Sequence, residues 1–290
     1  MQLLAFILLY PLIWCISILP FRLLYWVADI VYFLVYHIVG YRKKIVRQNL
    51  GMAFPEKSAA ELKKIEKESY RHLCDMFLEM IKTMTISRKE IERRYTFTNM
   101  DLYLDLEKQG KSIALLCAHY ASYEWAVSMN FHITFEGYAI YKKIANKYFD
   151  KVVRDIRTKY RAHLITTKET VPTLVTNQKN GILGVYGFVS DQSPKQGKEQ
   201  HWVEFLGIDT PVHTGAEMLA KKYDMNVIFM RTEKVARGRY KGTFELLAEN
   251  PRQVPDYQIT DTFMKLVEKQ IKDDPSYYLW THKRWKYSRS

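Results

Sequence analysis

The first 21 residues, MQLLAFILLYPLIWCISILPF, contain no Asp, Glu, Lys, Arg or His. An apolar helix of about 20 residues is what crossing ~30 Å of hydrocarbon requires. The run therefore reads as a membrane-crossing segment. It lacks the basic start and small-residue cleavage site of a secretory signal. Pro11 is expected to kink the helix, and Pro20 with Arg22 separates it from a second apolar stretch, Leu23 to Gly40. That stretch carries Asp29 and His37, groups that are expensive to turn toward lipid, so it is expected to pack on the body or lie in the interface. Arg42, Lys43, Lys44 and Arg47 follow at once, the pattern that the positive-inside rule places on the cytoplasmic face. The chain thus divides into a membrane anchor with an interfacial helix, residues 1–40, and one body, residues 41–290.

Lys and Arg exceed Asp and Glu by 13. Residues 1–40 hold one base, Arg22, and one acid, Asp29, so the whole excess belongs to the body. Such a balance points to an acidic partner, whether nucleic acid, anionic lipid or an acidic carrier. No RNP motif or basic helix-turn-helix is present, which argues against nucleic acid. Cys15, Cys74 and Cys117 are too few and too scattered for a disulfide framework and read as reduced thiols in a cytosolic setting. The eight histidines show no H-x(3)-H or HExxH pairing, so no metal is expected.

Pro55 ends the first helix of the body, and Ser58 with Glu61 forms a capping box for the next, expected to run to about Thr85. Thereafter short apolar runs alternate with amphipathic stretches: Ser112 to Cys117, then Tyr123 to Phe131; Tyr138 to Tyr141, then Asn146 to Arg161; His163 to Thr166, then Pro172 to Lys179. Ile182 to Val189, Pro211 to Tyr223 and Val227 to Met230 continue the series. Tyr240 to Leu247 reads as a late antiparallel strand and Tyr257 to Lys272 as a closing helix. This alternation implies an α/β fold, a central, mostly parallel sheet flanked by helices. Ligands in such sheets bind beyond the carboxyl ends of the strands.

His119 lies at such an end, in SIALLCAHYASYEW, with Glu124 five residues on. Inside one helix the two would stand about 140° apart. With His119 on a strand-to-helix turn and a helix starting near Ser122, Glu124 is expected to fold back onto one imidazole nitrogen, leaving the other as a general base. Ser122 is not in a G-x-S-x-G elbow, and Cys117, in an apolar strand, is in the ordinary place for an inert thiol. A base without a nucleophile of its own suggests activation of a hydroxyl brought by a substrate. Asp191 and Gln192 follow the apolar run ILGVYGFVS, at another strand end; tying loops and contacting substrate are both open for them.

Residues 141–161 hold eight bases against Asp150 and Asp155. Lys147, Lys151, Arg154 and Arg161 gather toward one side of a helix, and Phe149, Val153, Ile156 and Tyr160 form the other. Such a run is a solvated face or, in part, a docking surface for anionic groups. The tail adds Lys283, Arg284, Lys286 and Arg289 among Trp285 and Tyr287, a mixture that suits a membrane interface.

AHYASYE, SDQSPKQG, VEFLGIDTPVHTGAEMLAKK and YYLWTHKRWK, in that order, with RQNLGMAFP ahead of them, resemble the bacterial lipid A biosynthesis acyltransferases, the late lauroyl or myristoyl transferases of the lysophospholipid acyltransferase superfamily. The resemblance covers nearly the whole chain. It implies a bacterial inner-membrane enzyme, with its catalytic domain on the cytoplasmic side, that moves a fatty acyl chain from acyl carrier protein, or less often coenzyme A, to the 3-hydroxyl of an acyl chain on a lipid A precursor. No cofactor is implied beyond that co-substrate. His119 then matches the catalytic base, Glu124 its carboxylate partner, and Arg157 an arginine of the cleft. Arg157, Arg154, Lys142, Asp191 and Gln192 are the substrate-binding candidates. Lys142 and Lys143 stand where the family commonly has Arg-Pro, Arg161 where a Gly is usual, and FLG replaces FFG, departures that bear on the acceptor and chain length. The rival readings are the same chemistry on another hydroxylated lipid, such as an amino-acid lipid or glycolipid, and a basic membrane-surface protein without catalysis.

Overall fold

The computed structural model describes residues 2–195, 197 and 201–287; Gln196 of SDQSPKQG and Arg289 of the tail lie outside them. Two apolar helices come first, α1 (Gln2–Ile18) and α2 (Phe21–Phe33), the latter continued by a wider turn over Leu34–Val39. Then follow α3 (Lys43–Ala53), α4 (Ala59–Lys82), α5 (Arg88–Arg94), β1 (Tyr95–Thr98), α6 (Met100–Lys108), β2 (Ile113–Cys117), β3 (Glu136–Tyr141), α7 (Lys147–Thr158), β4 (Ala162–Thr166) and α8 (Thr170–Lys179). The chain closes with β5 (Gly184–Val189), β6 (His201–Phe205), β7 (Ile208–Val212), α9 (Gly215–Tyr223), β8 (Asn226–Ala236), β9 (Arg239–Ala248) and α10 (Gln258–Asp273).

Seven strands form one sheet in the order β1-β9-β8-β2-β5-β3-β4. Every neighbouring pair is parallel except β8 with β9. The parallel α/β expectation and the late antiparallel strand are thus both found. β2, IALLC, is buried at every position, as a central strand covered on both faces must be. Ser58 and Glu61 do form the reciprocal capping box at the start of α4.

Three local expectations are overturned. Tyr123 to Phe131 is no α-helix: Trp125–Phe131 winds as tight 3₁₀ turns, with Trp125 buried and its Nε1 donating to the Glu79 carbonyl oxygen at 3.2 Å. Pro211 to Tyr223 is not one element, because Ile208–Val212 pairs with His201–Phe205 as a separate antiparallel ribbon before α9 begins. In the tail, Lys283 and Lys286 are exposed, but two residues of the expected interfacial mixture turn inward. Arg284 and Trp285 are buried, Arg284 donating to Pro211 O at 3.0 Å and Ser193 Oγ at 3.1 Å, and Trp285 to Thr210 Oγ1 at 2.9 Å. A chain end that closes over a ribbon spends its cation and indole on internal acceptors.

The apolar end also differs from expectation. α1 stops at Ile18, before Pro20, and its 17 residues reach about 25 Å at 1.5 Å per residue, short of ~30 Å of hydrocarbon. By length and composition the stretch able to cross a bilayer is Phe21–Val39, with 19 residues. Yet α2 packs one side on α4, Leu24 and Ala28 against Leu78 and Ile81. Polar ties reinforce that seam: Tyr25 donates to Glu79 at 2.9 Å, and Arg237 joins Asp29 at 2.6 Å and buried Asp75 at 2.7 Å.

Gly238 turns the β8–β9 hairpin at φ +67°, and a Cβ there would collide with the Tyr25 hydroxyl. Gly238→Ala therefore adds backbone strain to a clash. We expect a loss of about 1–3 kcal/mol in unfolding free energy, read by denaturant titration in detergent.

Candidate active site

The site lies at the carboxyl ends of β2 and β5. These strands run parallel in the register Cys117 opposite Val189, which delivers His119 and Asp191, two residues past each strand, side by side. Asp191 Oδ1 accepts from the His119 backbone N–H at 3.0 Å and is 2.8 Å from the imidazole Nδ1. An ionised carboxylate only accepts, so Nδ1 is the nitrogen that carries a proton toward it, and in the neutral tautomer the lone pair is on Nε2. The C-terminal segment clamps the same turn from the other side: Leu279 N–H donates to His119 O at 3.1 Å and Ala121 N–H to Tyr277 O at 2.9 Å. Ala121, at φ +48°, makes the sharp bend that this clamp requires.

The His119 side chain keeps 20% of its exposure while that of Asp191 keeps 1%. His119 lines a largely apolar cleft, with Tyr123, Leu73, Met76, Tyr278 and Trp280 among its walls. The Tyr123 ring stands edge-on to the imidazole, 5.1 Å between centroids. Burial pushes the Asp191 carboxyl upward, but the adjacent imidazole and the two N–H donors outweigh it and hold the group below the usual aspartate range. Cys117, two residues before His119, has its thiol pushed up to about 12 by burial and by Asp191, which leaves it protonated and inert.

The carboxylate that the sequence assigns to His119 is elsewhere. Glu124 is bound by Arg157, which contacts its Oε2 through Nη2 and its carbonyl oxygen through Nη1 at 3.3 Å. The reason is local: without an α-helix from Ser122, Glu124 has no first turn from which to fold back, and it reaches α7 instead. Asp191, left open between loop-tying and substrate contact, is the imidazole's partner. Arg154 is tied to Asp150 at 3.1 Å and lies over the Tyr141 ring, a brace within its own segment. Arg161 has left α7 and takes φ +53°. Lys142 and Lys143 are exposed in the loop after β3. Because β3 is parallel to β5, this loop opens on the same sheet edge as His119. Gln192 is half-buried beside Asp191. Tyr123 and Tyr278 were not singled out by sequence; both lie in the quoted motifs, but an aromatic in an apolar-rich chain gives no separate signal.

The sequence profile of the bacterial lipid A biosynthesis acyltransferases matches residues 2–287. The chain is also 22% identical over 276 residues to the lipid A biosynthesis lauroyltransferase of Escherichia coli (strain K12), covering 94% of this chain and 89% of that protein.

Asp191 has a depressed native pKa, so its contribution to stability is complete above the unfolded value near ~3.9 and fades as pH falls through the lower folded value. The difference in thermal midpoint between wild type and Asp191→Asn should therefore be full at pH 7 and shrink only below about pH 4. A pH series of melting curves checks this.

Proposed function

The chain belongs to the bacterial lipid A biosynthesis acyltransferase family, and from that premise we propose that it transfers a fatty acyl chain from an acyl carrier protein thioester to the 3-hydroxyl of an acyl chain on a lipid A precursor. The observation that carries the reading is His119, its tautomer fixed by Asp191, opening on an apolar cleft at the carboxyl edge of the sheet. Nε2 accepts the proton of the acceptor hydroxyl as that oxygen attacks the thioester carbonyl carbon. The tetrahedral oxyanion collapses, the new ester C–O bond stays, the C–S bond breaks, and the imidazolium returns its proton to the departing thiolate. Asp191 stabilises the imidazolium while it exists. No acyl-enzyme forms in this scheme, and no cofactor takes part besides the thioester co-substrate.

The Arg157 guanidinium acts on Tyr123, whose ring packs edge-on to the imidazole. In this scheme it serves the oxyanion, and Glu124 orients it. Lys142 and Lys143, on the same sheet edge, suit a phosphorylated sugar headgroup. Arg154, held by Asp150, supports their segment. Gln192 is a polar contact for the acceptor. The apolar helices, with Arg42, Lys43 and Lys44 behind them suited to anionic headgroups, support attachment to the inner membrane, and the acyl carrier protein donor calls for a body on the cytoplasmic side. Acylation of a different hydroxylated lipid would use the same base; the lipid A of a deletion strain distinguishes them, since loss of one acyl chain is expected and unchanged lipid A refutes the proposed acceptor.

With purified protein, labelled acyl carrier protein and lipid A precursor, His119→Ala should lower turnover by ~10²–10⁴ while membrane association is retained. Asp191→Asn should fall in the same range and alter the acidic limb of the pH–rate profile. Glu124→Gln and Arg157→Gln should act as a unit, the double variant being little worse than either single one.

A further inference from the structure

We propose that α1 and α2 lie along one leaflet of the bilayer, with their outer faces in the lipid and neither helix crossing. This goes beyond the acyltransfer reading and does not depend on it.

The decisive feature is that both ends of α1 are held by the body. At its start, Gln2 Nε2 donates to Ala145 O at 3.2 Å and Asn146 Nδ2 donates to Gln2 O at 3.0 Å. The Phe6 ring stacks within 5.4 Å of Tyr148 and 5.2 Å of Phe149, on α7. At its end, the Lys82 ammonium at the foot of α4 donates to Ser17 O at 2.7 Å and Leu19 O at 2.8 Å. Between these ties Phe6, Tyr10, Ile13 and Ser17 form the shielded seam, a spacing of four, three and four residues that follows one helix face. A rod pinned at both ends to the same water-facing body cannot place one end ~30 Å away across hydrocarbon. The elements that pin it are charged: exposed Lys143, Lys147 and Lys151 surround the start of α7.

α2 obeys the same geometry. Its seam lies on α4, and Arg71 of α4 stands over the Tyr32 ring at 5.2 Å. Asp29, midway along α2, is paired with Arg237. To cross, α2 would have to draw the cations of α4 and the β8–β9 hairpin into lipid, a cost that scales with each buried charge. Outward stand Leu4, Leu8 (67% exposed) and Leu12 on α1, Trp26 (64%) and Phe33 on α2, and Ile38 on its continuation, with the exposed polar groups Arg22 and His37 near the two ends of the second stretch. Two adjoining helices with apolar outer faces, charged neighbours behind them and Arg42, Lys43 and Lys44 at the exit make an interfacial surface.

The test uses full-length protein reconstituted into vesicles of phosphatidylethanolamine and phosphatidylglycerol. In a Cys15→Ser background, Gln2→Cys and Lys108→Cys, the latter on the exposed side of α6, are treated with an impermeant maleimide before and after permeabilisation. Equal labelled fractions before permeabilisation are expected, because both sites lie on one side. Complementary fractions, one site labelled where the other is protected, overturn the proposal. Quenching by lipids brominated at graded depths gives a second reading that leaves α1 untouched. The fluorescence removed by Trp26→Phe should be quenched most by shallow bromines. Strongest quenching at the bilayer centre would mean that α2 crosses, and no quenching at any depth, with the face covered by a second copy, would equally refute the assignment.

Discussion

A single carboxylate oxygen, Asp191 Oδ1, receives two donors from one residue, the backbone N–H and the imidazole Nδ1–H of His119. The first bond locates the turn and the second locates the ring, so position and orientation of the base are set together. The parallel register of β2 and β5 is what makes this possible, since both residues follow their strands by the same two positions. A slip of one residue would invert every side chain of β2 between the faces of the sheet and separate the pair. The buried apolar run IALLC therefore serves the chemistry by fixing a register that only one packing satisfies.

The remaining constraint comes from the far end of the chain. Tyr277 to Trp280 crosses the His119 turn, and the strap is fastened beyond it on both sides. Asn49 of α3 donates to Trp280 O at 2.8 Å and His282 O at 2.7 Å, while buried Arg284 and Trp285 close on the β6–β7 ribbon. The buried Arg284 guanidinium is held through Nη1 by the Pro211 carbonyl oxygen and Ser193 Oγ, with the Phe205 ring 5.5 Å away, while its Nε and Nη2 have no hydrogen-bond partner among the described residues. The sheet edge that carries His119 is thus held between α3 and the segment Tyr277 to Trp285, which rigidifies it.

The sheet and the base were legible because their signals are local. Apolar runs of five or six residues ending in a polar turn identify β2 and β5, and His119 stands where such a run stops. The partner of His119 was not legible, because Asp191 is 72 residues away and only the strand order β2-β5 brings it near. Glu124 misled through a helix that does not form: Trp125 is drawn into the core by its bond to Glu79 O, and the turn tightens to 3₁₀ winding. The tail misled for the opposite reason. Lys283 and Lys286 are exposed as a basic tail requires, but Arg284 and Trp285 between them face inward, a choice made by Pro211 and Thr210 on a ribbon the sequence did not reveal.

The two carboxylates at the sheet edge have separate partners because each is already committed. An imidazole offers one N–H when neutral, and Asp191 takes it, so a second carboxylate at Nδ1 would find no donor. Glu124 instead satisfies Arg157, whose donors also reach the Glu124 carbonyl oxygen, and the pair braces the tight turn against α7. Of the two nitrogens of the His119 ring, Nδ1 is the one held by Asp191, and the ring lines the cleft. That cleft is largely apolar, so a hydroxyl on an acyl chain can enter and water has little to hold it. In the proposed reaction, attack by a lipid hydroxyl on a thioester calls for an imidazole nitrogen oriented in this way and free to take a proton.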